Sequence, residues 1–274
     1  EKIKIPEEKS EEIKHQTLKT PICVVLGHPD AGKPSFLDAL RGTQVQAKEA
    51  GRITQIISGT NIMKSEIECY FEKFKANKSF NITIPGILLI DTPGHESFVS
   101  LWKLGSNLCD IAILIVDIVK GPQQTTIDSL KLLQESETPF IIALNKIDTI
   151  YKWKSTLDCP FTISKKNQSE NTLNHFDKLV QQNFIQFANA GVNAKLYTEL
   201  KSFKDWNPMV PISAKTKEGF SDLIAVLVKM SEKVLDYVDE KEEAKGIVIE
   251  KYDDVQGVGS AIDIILTHGK LKVY

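Results

Sequence analysis

The sequence predicts an α/β fold built on a mostly parallel central sheet, and three observations lead there. Short apolar runs recur along the chain as "ICVVLG" (22–27), "GILLIDT" (86–92), "IAILIVD" (111–117), "PFIIALNK" (139–146) and "MVPIS" (209–213). They are unbroken rather than alternating, as expected of strands buried on both faces. Between them lie amphipathic stretches at helical spacing, near 32–41, 96–107, 122–135, 172–190 and 219–238. Regular strand–helix alternation places helices on both faces of such a sheet.

Each element follows in order. Residues 1–19, "EKIKIPEEKSEEIKHQTLK", are charged and without a period, and read as a tail or lead-in to a domain spanning 20–238. The stretch "NIMKSEIECYFE" (61–72) mixes Ile62, Ile67, Cys69 and Phe71 with charges and reads as an exposed or antiparallel edge strand. Residues 150–171 form a polar insertion before the next helix. A linker, 239–245, leads to "GIVIEKYDDVQGVGSAIDIILTHGKLKVY" (246–274), where the pattern becomes strands separated by the turn signals "DDVQGVG" and "HGK". About thirty such residues do not make a stable β-domain alone, so they read as the opening of a second, all-β domain.

Composition narrows the class. With 274 residues, 42% hydrophobic and 26% charged, the chain has the make-up of an ordinary globular protein. A net charge of -2 gives no whole-molecule attraction to nucleic acid or an anionic membrane. No apolar run approaches the roughly 20 residues of a spanning helix, and the N-terminus lacks a signal-peptide core. Cys23, Cys69, Cys109 and Cys159 lie far apart without a C-x-x-C pair, so neither a zinc site nor a disulfide framework is expected. Cys23 and Cys109, in or beside apolar runs, read as small core residues, and a reducing cytoplasm suits the set.

The strand ends carry the chemistry. "GHPDAGKPS" (27–35) nearly matches the phosphate loop G-x-x-x-x-G-K-[ST], with Gly27, Gly32 and Lys33 in register and His28, Asp30 and Ala31 between. A strand before it and a helix after it would aim backbone N–H groups, a helix N-terminus and the Lys33 ammonium at a polyphosphate. "DTPG" (91–94) follows the second run, placing Asp91 where a carboxylate can hold magnesium through water and Gly94 where its N–H can meet a terminal phosphate. "NKID" closes the run at 139–146, and there Asp148 can accept two donors from a guanine edge beside Asn145 and the stem of Lys146. "SAK", Ser213, Ala214 and Lys215, ends the last run and can offer a backbone N–H to the guanine oxygen. Each segment alone has a bland reading as a turn. Four in this order, each at a strand end, point to a guanine-nucleotide pocket.

These stretches resemble the translational GTPases, in particular the initiation factor 5B and bacterial initiation factor two family. "VVLGHPDAGKPSFLDALRGTQVQAKEAGRITQ", "IPGILLIDTPGHESFVSLWKLGSNLCDIAILIVDIVKG", "PFIIALNKIDTIYKWK" and "VPISAKTKEGFSDLIAVLV" carry the likeness, which runs from about Pro21 to the C-terminus and is weakest over 155–205. The resemblance implies a P-loop NTPase GTP-binding domain followed by the start of a β-barrel. It implies GTP and GDP as ligands and Mg2+ as cofactor. Thr54 would close on the metal and terminal phosphate, His95 would order the attacking water, and Asp30 would assist charge neutralisation. It further implies slow GTP hydrolysis stimulated by the ribosome in subunit joining, with large-subunit RNA near His95. Initiator tRNA would be met through domains beyond these residues, other initiation factors would be partners, and the protein would be a cytoplasmic monomer.

Two positions depart from that pattern. Pro34 stands where Ser or Thr would ligate magnesium, and it also lacks the N–H expected to face the nucleotide. A hydrogen bond to a charged group is worth roughly 1.5–3 kcal/mol, so nucleotide binding is expected to be weaker by about ten- to a hundredfold and less magnesium-dependent. Water can take the missing ligand's place, or Ser35 can if the helix start shifts by one residue. Arg52 stands where the resemblance leads to a glycine, and it would either restrict closure or add charge. The alternative is a degenerate guanine-nucleotide switch or scaffold with little hydrolysis. An ATP-dependent enzyme is disfavoured by "NKID".

Overall fold

The structure is a computed structural model, and it describes residues 18–41, 58–72, 82–91, 109–203, 205–235, 243–255, 259–269 and 271. Five of its strands are the five apolar runs: β1 (Ile22–Gly27), β3 (Gly86–Asp91), β4 (Ile111–Asp117), β5 (Phe140–Asn145) and β7 (Asn207–Pro211). Two lie at the edges, β2 (Ser58–Met63) and the short β6 (Ala194–Leu196). The sheet order is β2-β3-β1-β4-β5-β7-β6, parallel throughout except for β2, which runs antiparallel to β3.

The chain goes from β1 to one side and returns to β4 on the other. The order of strands therefore reverses at β1, and the crevice outside its carboxyl end is where such sheets bind ligands. The carboxyl ends of β1, β3, β4, β5 and β7 all face that edge.

Alternate residues of each strand feed two cores. Cys23, Val25, Ile111, Ile113, Ile115, Ile141 and Ala143 pack with α1 (Lys33–Arg41), α2 (Lys64–Glu72) and α6 (Phe220–Val234). Ile22, Val24, Leu26, Leu114, Val116, Ile142 and Leu144 pack with α3 (Gln124–Glu135) and α5 (Glu170–Asn189). Every residue of β4 and β5 is buried, which is why these strands read as unbroken apolar runs. Phe36 of α1 lies 5.4 Å from Phe220 of α6, ring centre to ring centre, and ties the helix after β1 to the last helix. Gly219 caps α6 with a left-handed φ of 75°. A Cβ there would stand 2.1 Å from the Pro211 carbonyl oxygen, so the chain re-enters the sheet edge only as glycine.

Several expectations need correction. The stretch 61–72 is half strand, half helix. The antiparallel edge strand is β2, ending at Met63, and the remainder is α2. Ile67 points to the core with no exposure while Glu66 folds back to accept the Met63 N–H at 2.8 Å. Charged residues on the solvent face of a short helix had resembled an alternating strand. Leu18 is buried, and the Lys19 Nζ lies 3.2 Å from Asp110. The insertion contains a short helix, α4 (Phe161–Lys166). β6 was not anticipated, since three residues carry no readable period. The helix expected over 96–107 lies outside the described residues, as do residues 1–17.

Cys23 is fully buried, and Cys109 is half-buried with its Sγ donating to the Ile111 carbonyl at 3.0 Å. Burial pushes the Cys109 thiol up to about 12. At the end of the chain β8 (Lys245–Val255) and β9 (Gly259–His268) form an antiparallel hairpin, so the strand already includes the last residue assigned to the linker.

Candidate guanine-nucleotide site

Gly27 is the last residue of β1. The chain then makes a single 3-10 turn over Pro29–Ala31, capped by the His28 Nδ1, which accepts the Asp30 N–H at 3.1 Å. Gly32 follows with a φ of 90°, and α1 begins at Lys33. A Cβ on Gly32 would lie 2.6 Å from the Asn145 Nδ2, so both backbone conformation and space require glycine. The loop and helix start thus take the arrangement that the sequence pattern predicts. The helix start is not shifted: the Phe36 N–H donates to the Gly32 carbonyl at 2.9 Å. Pro34 and Ser35 are consequently both exposed residues of the first turn, with Ser35 about 100° further round the helix than the position Pro34 occupies.

Asn145 joins three segments. Its Nδ2 donates to the Ala31 carbonyl at 2.8 Å, and its Oδ1 accepts the Ala214 N–H at 2.9 Å. The side chain is almost fully buried, the bond to Ala31 fully and the bond from Ala214 partly. Lys146, in the left-handed region at φ 69°, sends its Nζ back to the Asp30 carbonyl at 2.5 Å. Asp148 accepts the Ser213 hydroxyl at 2.7 Å, which fixes one carboxylate oxygen; Ser213 in turn accepts the Thr216 N–H at 3.1 Å. Lys215 is exposed at the crest of that loop. The Ala214 N–H is therefore held by Asn145 rather than presented to a base.

On the phosphate side Lys33 Nζ stands 3.4 Å from Asp91 Oδ1. That oxygen is buried and has no hydrogen-bond partner. The Lys33 ammonium offsets its charge without hydrogen-bonding it, so the oxygen keeps acceptor capacity that a ligand could use. Asp30 sits in the 3-10 turn of the loop. Its carboxylate pairs with Lys120 at 3.6 Å, and both groups are more than half exposed, a contact worth under about 1 kcal/mol. Thr54, Gly94, His95 and Arg52 lie outside the described residues.

Two carboxylates close to the site escaped the sequence reading. Asp117 ends β4, and Glu218 lies behind the Ser213–Thr216 loop. The first had a legible signal, an acidic residue ending an apolar run as Asp91 does. Glu218 had none, because its donors come from the insertion. It is fully buried and accepts from the Trp153 indole N–H (3.2 Å), the Thr156 N–H (3.1 Å), the Thr216 hydroxyl (2.6 Å) and the Ser164 hydroxyl. Nearby, Asp222 accepts from the Phe161 N–H (2.8 Å) and the Tyr197 hydroxyl (2.6 Å). Burial pushes the Asp222 carboxyl up, opposed by those bonds, and burial likewise raises the Tyr197 hydroxyl.

A loop closed by a helix start, a buried asparagine tying it to an N-K-x-D turn, and a buried aspartate facing the loop lysine from a neighbouring strand end have a counterpart among known proteins. The family model for the elongation factor Tu GTP binding domain matches residues 18–233. The chain belongs to the elongation factor Tu GTP-binding domain family.

Within this GTP-binding family it is 43% identical over 269 residues to human eukaryotic translation initiation factor 5B, covering 97% of the chain and 22% of that protein. It is 42% identical over 257 residues to the probable translation initiation factor IF-2 of Saccharolobus solfataricus, covering 93% of the chain and 43% of that protein. Among solved structures, GDP-bound aIF5B from Aeropyrum pernix superposes with a TM-score of 0.77 at 39% identity, over 92% of this chain and 42% of that one. The chain thus spans less than half the length of each of these relatives.

Proposed function

We propose that this chain is the GTP-binding and GTP-hydrolysing part of a translation initiation factor acting at ribosomal subunit joining, within the initiation factor 5B and bacterial initiation factor two branch. The observation that carries the reading is the Asn145 junction, which links the phosphate loop at Ala31, the base-recognition turn and the Ala214 loop through one buried and one partly buried bond. That junction holds polyphosphate and base subsites at a fixed separation, and Asp148 is oriented for a guanine edge. Similarity to initiation factors over nearly the whole chain supports the biological role.

Lys33 would stabilise charge on the transferring phosphoryl group, and His95 would place the attacking water. The Oδ1 of Asp91, paired with Lys33 but free of hydrogen bonds, fits a magnesium shell, with Thr54 as the second side-chain holder. Bound there, the metal would neutralise charge between the outer phosphates. Pro34 offers it no ligand, and with the helix start unshifted Ser35 falls one position beyond the one that would supply it. The ribosome is the proposed partner that makes His95 productive. Among the described residues no helix is long and apolar enough to cross a membrane.

The hairpin β8–β9 supports a second domain that begins here. Val248, Ile262, Ile264 and Leu266 are exposed on it, a row of apolar side chains that a two-stranded ribbon cannot cover. We read it as the opening of the β-barrel.

Similarity to initiation factors over nearly the whole chain favours the hydrolytic reading over the alternative, a guanine-nucleotide switch with little hydrolysis. Phosphate release from GTP with and without ribosomes separates the two. Stimulated turnover supports the enzyme; tight guanine-nucleotide binding with no stimulated turnover supports the switch. Absence of guanine-nucleotide binding at millimolar concentration overturns both.

A further inference from the structure

Asp117 closes β4 directly beside Asn145, its register partner on β5, and is 5% exposed. Its two oxygens have separate partners. Oδ1 accepts the Val119 N–H at 2.9 Å and the Lys120 N–H at 3.2 Å, which shapes the turn after the strand. Oδ2 lies 2.9 Å from the Lys146 Nζ. That ammonium also donates to the Asp30 carbonyl, so it is held between a buried carboxylate and the backbone of the phosphate loop. A charge pair with one buried member is screened less than a surface pair, and Lys146 reaches it from a left-handed backbone that few non-glycine residues adopt.

We infer that Asp117 is a positioning residue for guanine-nucleotide binding, acting through Lys146. By fixing the ammonium it holds the Lys146 stem where a base face would rest and preforms the loop before a nucleotide arrives. Without the carboxylate the ammonium has only the Asp30 carbonyl to hold it, and the stem regains rotamers that binding must then freeze out. This inference rests on the guanine-nucleotide reading above. The same residue also caps its turn through Oδ1, and a substitution can separate the two roles.

Asp117→Asn does so, because the amide retains an acceptor for the turn while the second oxygen becomes an NH2 facing the ammonium. Dissociation constants for a fluorescent GDP are measured on the full chain as wild type, Asp117→Asn, Lys146→Met and the double variant, with thermal unfolding of the nucleotide-free proteins alongside. The expected result is about tenfold weaker GDP binding for Asp117→Asn, carried by faster release, and less than about a twofold effect of the same change in the Lys146→Met background. GDP binding unchanged in Asp117→Asn, or weakened by the same factor in both backgrounds, overturns the inference. Asp117→Ser, which keeps a hydroxyl acceptor for the Val119 N–H, serves if the asparagine variant does not fold. Failure of both to fold makes the turn the residue's main task and overturns the inference as well. Wild type that binds no GDP sinks the guanine-nucleotide reading itself, whereas wild type that binds with an unaffected Asp117→Asn sinks the positioning role alone.

Discussion

Glu218 accepts the hydroxyl of Ser164 in the interior, 54 residues away in sequence, and this bond fastens the insertion to the loop that follows β7. The same carboxylate takes the Trp153 indole and the Thr156 backbone on one side and the Thr216 hydroxyl on the other. Backbone bonds run in parallel, from the Asp158 N–H to the Thr216 carbonyl at 3.0 Å and from the Gly219 N–H to the Cys159 carbonyl at 2.9 Å. The insertion is therefore a buttress of the Ser213–Thr216 segment rather than a loop laid over the surface.

Removing that carboxylate leaves several buried donors without a partner. Glu218→Ala is expected to lower stability by about 3 kcal/mol, since each orphaned donor costs its desolvation. Glu218→Gln, which keeps one acceptor oxygen, should lose less. Urea unfolding of the three proteins measures this, and GDP release should quicken in the alanine variant as the Ala214 loop loosens. Equal stability of alanine variant and wild type would show that the network is dispensable.

At the phosphate loop, Gly32→Ala sets a Cβ 2.6 Å from the Asn145 amide, at a backbone φ of 90°. The Asn145–Ala31 bond must break for the methyl group to fit. We expect guanine-nucleotide affinity to fall at least a hundredfold, against a stability loss of about 1–2 kcal/mol from the backbone strain. Calorimetric titration with GDP and a thermal melt test the two parts separately. Retained affinity would mean that the junction is not what shapes the pocket.

How far the sequence anticipated this arrangement depends on what each signal required. Strands buried on both faces wrote themselves as apolar runs, so β1 and β4 were legible to the residue. Asp91 and Asn145 close such runs, whereas Lys33 opens the helix after β1 and Asp148 lies in the turn after β5, so the positions of all four relative to the strands could be read from the sequence. Glu218 was not, because nothing local says that an acidic residue after "SAKTK" will be buried under Trp153 and Ser164. Nor did the pattern reveal that the Ala214 N–H is occupied by Asn145, since that bond joins residues 69 apart. Short elements were lost for want of a full period, as with β6, or were merged with a neighbour, as with β2 and α2.

Asp222 gives a pH signature. Burial raises its folded carboxyl above the usual value, so the folded state holds the proton more tightly than the unfolded state. Stability is then lost as pH rises from about 4, the unfolded value, through the raised folded value, and is level above both. Asp222→Asn removes this titration while its amide can accept from the Phe161 N–H and donate to the Tyr197 oxygen. Urea midpoints from pH 4 to 8 should show the variant gaining on wild type with rising pH, then a constant difference. A difference that does not change with pH would contradict the shift.

Pro34 carries the sharpest consequence for the metal. It is exposed in the first turn of α1, where proline is sterically welcome and its missing N–H disturbs no helical bond, so its replacement should leave the fold intact. Pro34→Thr restores both an N–H toward the nucleotide and a hydroxyl at the expected ligand position, while Asp91 keeps an oxygen without a hydrogen bond beside Lys33. GDP should bind about ten- to a hundredfold more tightly, the equivalent of one hydrogen bond to a charged group. Chelating magnesium should cost the threonine variant most of that gain and the wild type little. Titrations of both proteins with a fluorescent GDP, each with magnesium and with a chelator, give the four constants needed. Wild-type affinity that collapses on chelation would show that water or another side chain already completes the metal shell, and that the proline is a silent replacement.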